Sequence, residues 1–122
     1  MKTNENILII GSGGREHALG WKLSQSKKAV KTYYSSGNGG TFENINIGYS
    51  DVDKLMSFAK LHDCFTIVGP EEPLVNGIVN SFNKAELKIF GPTKESAMLE
   101  SSKYFAKKMM MFCIYFYLCQ NV

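Results

Sequence analysis

The stretch Asn6–Arg15, NILIIGSGGR, joins a short β-branched apolar run to a glycine-rich segment. An apolar run of this length that stops at glycine is typical of a strand buried in a parallel sheet. From Arg15 to Ser26 the chain carries helix formers, with apolar residues at helical spacing. The stretch therefore predicts a strand, a tight glycine loop and a helix, which together form the repeating unit of α/β proteins.

The same alternation continues along the chain. Short apolar runs predict further strands at Lys31–Ser35, Phe65–Val68 and Lys88–Phe90, with a short extra strand at Asn44–Ile47. Strands that alternate with helices favour a parallel sheet. The expected fold class is therefore α/β, an open parallel sheet with helices on both faces.

Three helices are predicted between and after these strands. Ser50 is a plausible N-cap for a helix that ends near Leu61, with acidic residues in its first turn. Pro73 stands where a first-turn proline belongs, and apolar residues continue at helical spacing to Phe82. Thr93 can cap a last helix that runs to about Met98. The chain has 122 residues, which is enough for one domain of this kind and too few for two.

Charge and composition exclude several classes of protein. The net charge of +3 is spread along the chain, which favours a solvated surface over a nucleic-acid footprint. The apolar run Met109–Cys119 has 11 residues, whereas a membrane span needs about 20. Three cysteines without CxxC spacing indicate reduced thiols rather than a disulfide framework or a zinc site. We expect a cytoplasmic protein with no nucleic-acid partner, no membrane partner and no metal site of its own.

Glycine-rich loops follow three of the predicted strands, at 11–17, 37–40 and 69–73. In open parallel sheets, ligands bind outside the carboxyl ends of the strands. The first loop also leads into a helix N-terminus, where free N–H groups and the helix dipole favour an anion. Each glycine could serve only a tight turn, but three such loops at one edge favour a ligand site. Arg15, the single Arg among 14 basic residues, lies in the first of them.

A dinucleotide site is the alternative that these loops raise. The fingerprint GxGxxG requires a third glycine where this chain has Glu16, and it requires an acidic residue near the end of the second strand. Tyr33 and Tyr34 occupy that position. The pattern therefore disfavours an NAD site.

Four segments together resemble the phosphoribosylamine–glycine ligase family, also called GAR synthetase. They are GSGGREHAL (11–19), GNGG (37–40), VGPEEPLVNGIV (68–79) and IFGPTKESAMLESSKYFAK (89–107), in the order and spacing of that family. The resemblance covers about residues 6 to 110. It implies a Rossmann-like domain that precedes an ATP-grasp fold.

The resemblance also implies an activity. Members of the family join 5-phosphoribosylamine to glycine in purine (IMP) biosynthesis, with hydrolysis of ATP and with Mg²⁺ or Mn²⁺ on its phosphates. By match to the motifs, Gly13, Gly14, Arg15 and Glu16 would shape the phosphoribosylamine or glycine side of the cleft, with Gly39 and Gly40 beside them. Glu71 would line the same cleft. Lys103 lies in a segment similar to the one that supplies an early nucleotide-contacting lysine.

The chain departs from the family after Lys108. Residues 109–122, MMMFCIYFYLCQNV, match no family segment. We therefore expect the family domain to cover 1–108 and the rest to be a divergent apolar tail. The family's acidic metal ligands lie beyond the matched part. We therefore expect a fragment that is inactive by itself. The alternative is a non-catalytic module that binds a phosphoribosyl ligand or pairs with another subunit.

Overall fold

A parallel sheet forms the centre of the molecule in the computed structural model, which describes residues 4–120. Its five strands within that range are β1 (Glu5–Gly11), β2 (Ala29–Ser36), β3 (Asn44–Ile45), β4 (Cys64–Val68) and β5 (Ile89–Phe90). They lie in the order β3-β2-β1-β4-β5, and every pair is parallel. The predicted α/β fold with an open parallel sheet is confirmed, including the short extra strand.

The helices alternate with the strands as predicted. They are α1 (Gly14–Ser24), α2 (Val52–Leu61), α3 (Glu71–Val75), α4 (Ile78–Lys84), α5 (Lys94–Ser101) and α6 (Lys103–Gln120). Parallel strands need such crossover connections, because a tight hairpin can join only antiparallel ones. Every strand therefore ends at the same edge of the sheet.

β1 divides the core into two layers. Leu8 and Ile10 point to one face, where they pack with residues of α2, α3, α4 and α5. Ile7 and Ile9 point to the other face and pack with Tyr34 and with Leu23 of α1. Successive side chains of a strand alternate between faces, so a run of four apolar residues must be covered on both sides. Helices on both faces follow directly from NILII.

The helix α1 approaches β2 closely because residue 20 is glycine. A Cβ atom at Gly20 would lie 1.8 Å from the Tyr34 hydroxyl oxygen, well inside contact distance. Tyr34 is buried, and this burial raises the pKa of its phenol. The glycine thus lets the tyrosine ring pass beneath the helix, which fixes the position of α1 over the sheet.

An ion pair with a buried carboxylate lies at the amino-terminal edge of the sheet. The carboxylate of Glu5 is fully buried and accepts from the Lys88 ammonium group, and this contact raises the pKa of Lys88. Cys64 begins β4 nearby, and its burial raises the pKa of the thiol to about 11. A thiol with this pKa stays protonated at neutral pH and packs as an apolar group.

The structure corrects one helix prediction. The apolar spacing from Leu74 to Phe82 predicted a single helix, but α3 ends at Val75 and α4 begins at Ile78. Gly77 lies between them with φ of +89°, a left-handed conformation that breaks the helix. Both short helices still bury their apolar residues against the same face, so the spacing predicted the burial correctly and the continuity wrongly.

Helix ends differ in smaller ways from the prediction. Asp51, rather than Ser50, is the N-cap of α2. Thr93 caps α5 as predicted, and its hydroxyl accepts from the Ser96 N–H group, but the helix continues to Ser101. Such differences of one to three residues are usual at helix ends, where hydrogen bonding frays.

The apolar segment 109–118 is helical, although its composition favours β-structure. It forms most of α6, a helix in which no residue is buried. Its Met, Phe, Ile, Tyr and Leu side chains are all exposed, by 39% for Met109 and by more for the others. In the described part of the chain no helix has the length and hydropathy needed to cross a membrane. A contiguous apolar surface of this kind promotes association.

We predict that α6 makes the 122-residue chain associate. The apolar area that it exposes is removed from water when chains stick together, and this contact is favourable whatever its geometry. In analytical ultracentrifugation the full chain should sediment as concentration-dependent larger species. A variant that ends at Lys108 should be monomeric.

The matched control keeps the length of the chain. Ile114→Lys combined with Tyr117→Lys places two charges on α6 and should restore the monomer as the shortened variant does. If the full chain sediments as a monomer at every concentration, the exposed apolar segment has no role in association.

Candidate functional site

Three loops meet at the carboxyl edge of the sheet, as the sequence predicted. We call residues 11–13 the first loop, 37–41 the second loop and 69–70 the third loop. The Gly37 N–H group donates to the Gly11 carbonyl at 3.3 Å, and the Gly69 N–H group donates to the Ile10 carbonyl at 3.0 Å. β1 lies between β2 and β4, so the first loop lies between the other two. It bonds to the second loop at Gly11, and the third loop bonds to the end of β1 at Ile10.

The second loop is held by its own polar side chains. The Gly40 N–H group donates to Asn38 Oδ1 at 2.8 Å, and the Asn38 N–H group donates to Thr41 Oγ1 at 2.7 Å. The Asn38 amide also reaches the first loop, where it donates to the Ser12 carbonyl at 3.0 Å. The sequence analysis did not select Asn38, although an Asn inside a glycine run signals a side chain that bonds nearby backbone.

Two glycines leave open space beside the loops. A Cβ atom at Gly14 or at Gly39 would meet nothing within 4 Å. Gly40 is different, because a Cβ there would lie 2.5 Å from the His17 ring. A ligand can therefore approach the backbone at Gly14 and at Gly39 directly. His17 is half-buried and packs against the second loop from below.

Arg15 and Glu71 face each other across the first and third loops. Arg15 Nη1 lies 3.5 Å from Glu71 Oε1, and the side chains are 68% and 61% exposed. A long, exposed ion pair of this kind contributes little to stability. The guanidinium group is therefore free to turn toward an anionic ligand. Glu71 lies at the start of α3, where its charge also suits the helix dipole.

Glu72 bonds a tyrosine that the sequence analysis missed. The Tyr49 hydroxyl donates to Glu72 Oε2 at 2.8 Å, and this carboxylate raises the pKa of Tyr49. Tyr49 follows β3, so the contact ties the segment after the edge strand to α3. No motif in the sequence points to this pairing, because 23 residues separate the two partners.

Glu16 lies beneath the loops instead of facing the open space. Its residue is 4% exposed, and its Oε2 atom accepts from the Gly13 N–H group at 2.6 Å. The side chain of the third helical residue thus reaches back to the start of its own helix, as in one half of a capping box. Of the predicted first-loop residues, Gly13, Gly14 and Arg15 are exposed, and Glu16 supports them from inside.

Lys103 lies apart from these contacts. It is exposed at the first residue of α6, and no contact described between residues 4 and 120 joins it to the three loops.

A cavity of about 370 Å³ lies between α3 and α5, close to the start of α6. Its lining residues are Glu71, Leu74, Val75, Pro92, Ala97, Glu100 and Ser101. Glu71 is the residue that this cavity shares with the loop edge.

Metal-ligating residues do not cluster in the described range. Within residues 4–120 no group of three or more His, Cys, Asp and Glu side chains is placed to hold a metal ion. The groups present at the loop edge are the open backbone at Gly14 and Gly39, one guanidinium group and the carboxylates of Glu16 and Glu71. Such a set can bind and orient an anionic, hydroxylated small molecule.

Comparison with known proteins agrees with this geometry. The family model described as phosphoribosylglycinamide synthetase, N domain, matches residues 5–100. A protein from Pasteurella multocida named phosphoribosylamine–glycine ligase is 55% identical over 111 residues, covering 86% of this chain and 26% of that protein. A protein of the same name from Yersinia pestis is 54% identical with the same coverage.

A third relative gives the same result. The phosphoribosylamine–glycine ligase of Caldanaerobacter subterraneus is 51% identical over 108 residues, covering 85% of this chain and 26% of that protein. The chain thus spans about a quarter of the length of the curated relatives it matches. The matched family segment includes all three loops and ends before α6. The chain belongs to the phosphoribosylglycinamide synthetase N-domain family.

Proposed function

We propose that this chain supplies the phosphoribosylamine side of a ligase that joins 5-phosphoribosylamine to glycine in the cytoplasm. Its relatives carry the name phosphoribosylamine–glycine ligase. The observation that carries the proposal is the convergence of three glycine loops beside one exposed arginine. A sugar phosphate needs a dianion site and several hydrogen-bond donors, and this edge offers both.

The proposed role of each residue follows from its position at the loop edge. Gly14 and Gly39 leave the backbone open to the ligand, Gly13 and Gly40 lie beside them, and Arg15 supplies the positive charge that a phosphate group requires. Glu71 lines the same edge and can accept hydrogen bonds from an amine or from ribose hydroxyl groups. Glu16 shapes this side of the cleft from below. No residue of this chain is assigned a catalytic role.

The family resemblance implies that the ligase uses ATP together with Mg²⁺ or Mn²⁺ ions. Phosphoryl transfer requires a metal and basic groups around the γ-phosphate. The described residues lack a fitting ligand cluster, so we assign ATP and metal to the part of the relatives that this chain does not span. Lys103 would be an early nucleotide contact, because the segment Ser102-Lys103 resembles the one that supplies such a lysine in the family. Glycine would be activated there and meet the amine at the loop edge.

We predict that Arg15→Ala weakens binding of ribose 5-phosphate by about tenfold, or about 1.4 kcal/mol. The reason is the loss of a charge-assisted hydrogen bond to the phosphate. Isothermal titration calorimetry on the 122-residue chain measures this directly. Lys22→Ala is the matched control, since it removes one charge from the exposed last turn of the same helix. Equal affinity in the wild type and Arg15→Ala would remove Arg15 from the site.

We also predict that the 122-residue chain does not catalyse the ligation. It holds one candidate nucleotide lysine and no group of metal ligands among residues 4–120. ADP release in the presence of ATP, glycine and phosphoribosylamine should stay at the background rate. Saturable binding without turnover would agree with a binding domain. Turnover near that of a complete ligase would require an ATP site within this chain.

A further inference from the structure

We propose that Glu16 is a positioning residue that locks the first and third loops together. Its carboxylate lies inside the site, 4% exposed, and accepts from the Gly13 N–H group of the first loop. The other carboxylate oxygen, Oε1, lies against Gly69 of the third loop. One side chain thus touches both loops from below, at the point where they must keep a fixed separation.

Three glycines make room for this side chain. A Cβ atom at Gly11 would lie 2.7 Å from Glu16 Cγ, and one at Gly13 would lie 2.7 Å from Oε2. At Gly69 the distances fall to 1.9 Å from Oε1 and 2.5 Å from Cδ. Each distance is below what a real Cβ atom tolerates. The absence of a side chain at Gly11, Gly13 and Gly69 is therefore a requirement of the Glu16 side chain.

The buried carboxylate also decides where an anion can bind. The Gly13 N–H group, the donor nearest the start of α1, is already occupied by Glu16. A second negative charge at that point would meet repulsion at close range. This step rests on the proposed function: a ligand phosphate must bind farther out, near Gly14 and Gly39, where the backbone is open.

The environment of Glu16 Oε1 is a second, independent observation in favour of a positioning role. It is buried without a hydrogen-bond partner among the described residues. A buried acceptor without a donor lowers stability. An unsatisfied carboxylate kept in this place agrees with a positioning role, since stability alone would favour an apolar or fully bonded side chain.

A double-mutant cycle tests the lock without any ligand. Gly69 does not have a left-handed φ, so alanine there changes only the space that the loop must share with Glu16. Urea unfolding of the wild type, Gly69→Ala, Glu16→Ala and the double variant gives the coupling. We expect Gly69→Ala to raise the unfolding equilibrium constant strongly in the wild type. The rise should be at least tenfold smaller when Glu16 is alanine.

The controls keep this test decisive. Gly48→Ala should cost the same in both backgrounds, because a Cβ there meets only Ser50 Oγ at 3.7 Å. If Gly69→Ala does not fold, folding of the double variant still supports the lock. Additive effects would overturn it, as would a double variant that fails to fold although Glu16→Ala alone folds.

A binding measurement separates positioning from direct contact. Glu16→Gln keeps the shape of the side chain and an oxygen for the Gly13 N–H group, but it removes the charge. With ribose 5-phosphate as the probe in calorimetry, Glu16→Gln should bind as tightly as the wild type or several-fold more tightly. Glu16→Ala should bind about tenfold more weakly, because the loops lose their support.

The two proposals fail in different ways. Equal losses of affinity in Glu16→Gln and Glu16→Ala would overturn the positioning role and indicate that the charge touches the ligand. If the wild type does not bind ribose 5-phosphate at all, the proposed function fails. The unfolding cycle then still decides whether Glu16 locks the loops.

Discussion

The pairing of β1 with a parallel strand on each side is the constraint on which the rest of this structure depends. β1 is hydrogen-bonded to β2 and to β4, and its side chains are buried on both faces. Because all three strands run in one direction, the loops that follow them leave the sheet at the same edge. This topology brings residues 12, 38 and 69 to the same edge of the sheet.

The two edges of the sheet have opposite characters. At the amino-terminal edge the buried Glu5 carboxylate meets Lys88, and this contact closes the structure. At the carboxyl edge Arg15 and Glu71 stay exposed and loosely paired, so their charges remain available. The glycines at that edge leave open space beside the backbone at Gly14 and Gly39, and Glu16 contacts the loops from inside.

The sequence predicts the strands well because each is a short apolar run that ends at glycine or a turn. It fails where a tertiary contact decides the outcome. Gly77 could have continued a helix, and its left-handed backbone in the structure shows that it breaks one. Glu16 was expected to shape the substrate side of the cleft together with its motif neighbours. Its inward orientation depends on space left by Gly69, which is 53 residues later in the chain.

The central claim is that the edge formed by the three loops binds a sugar phosphate. Titration of the isotopically labelled chain with ribose 5-phosphate, followed by backbone amide chemical shifts in NMR, tests it residue by residue. The chain ending at Lys108 can serve if α6 broadens the signals. The account predicts saturable shifts at Gly14, Arg15, Gly39 and Gly40. Shifts confined to the cavity between α3 and α5, near Leu74 and Ala97, or no shifts at saturating ligand, would contradict it.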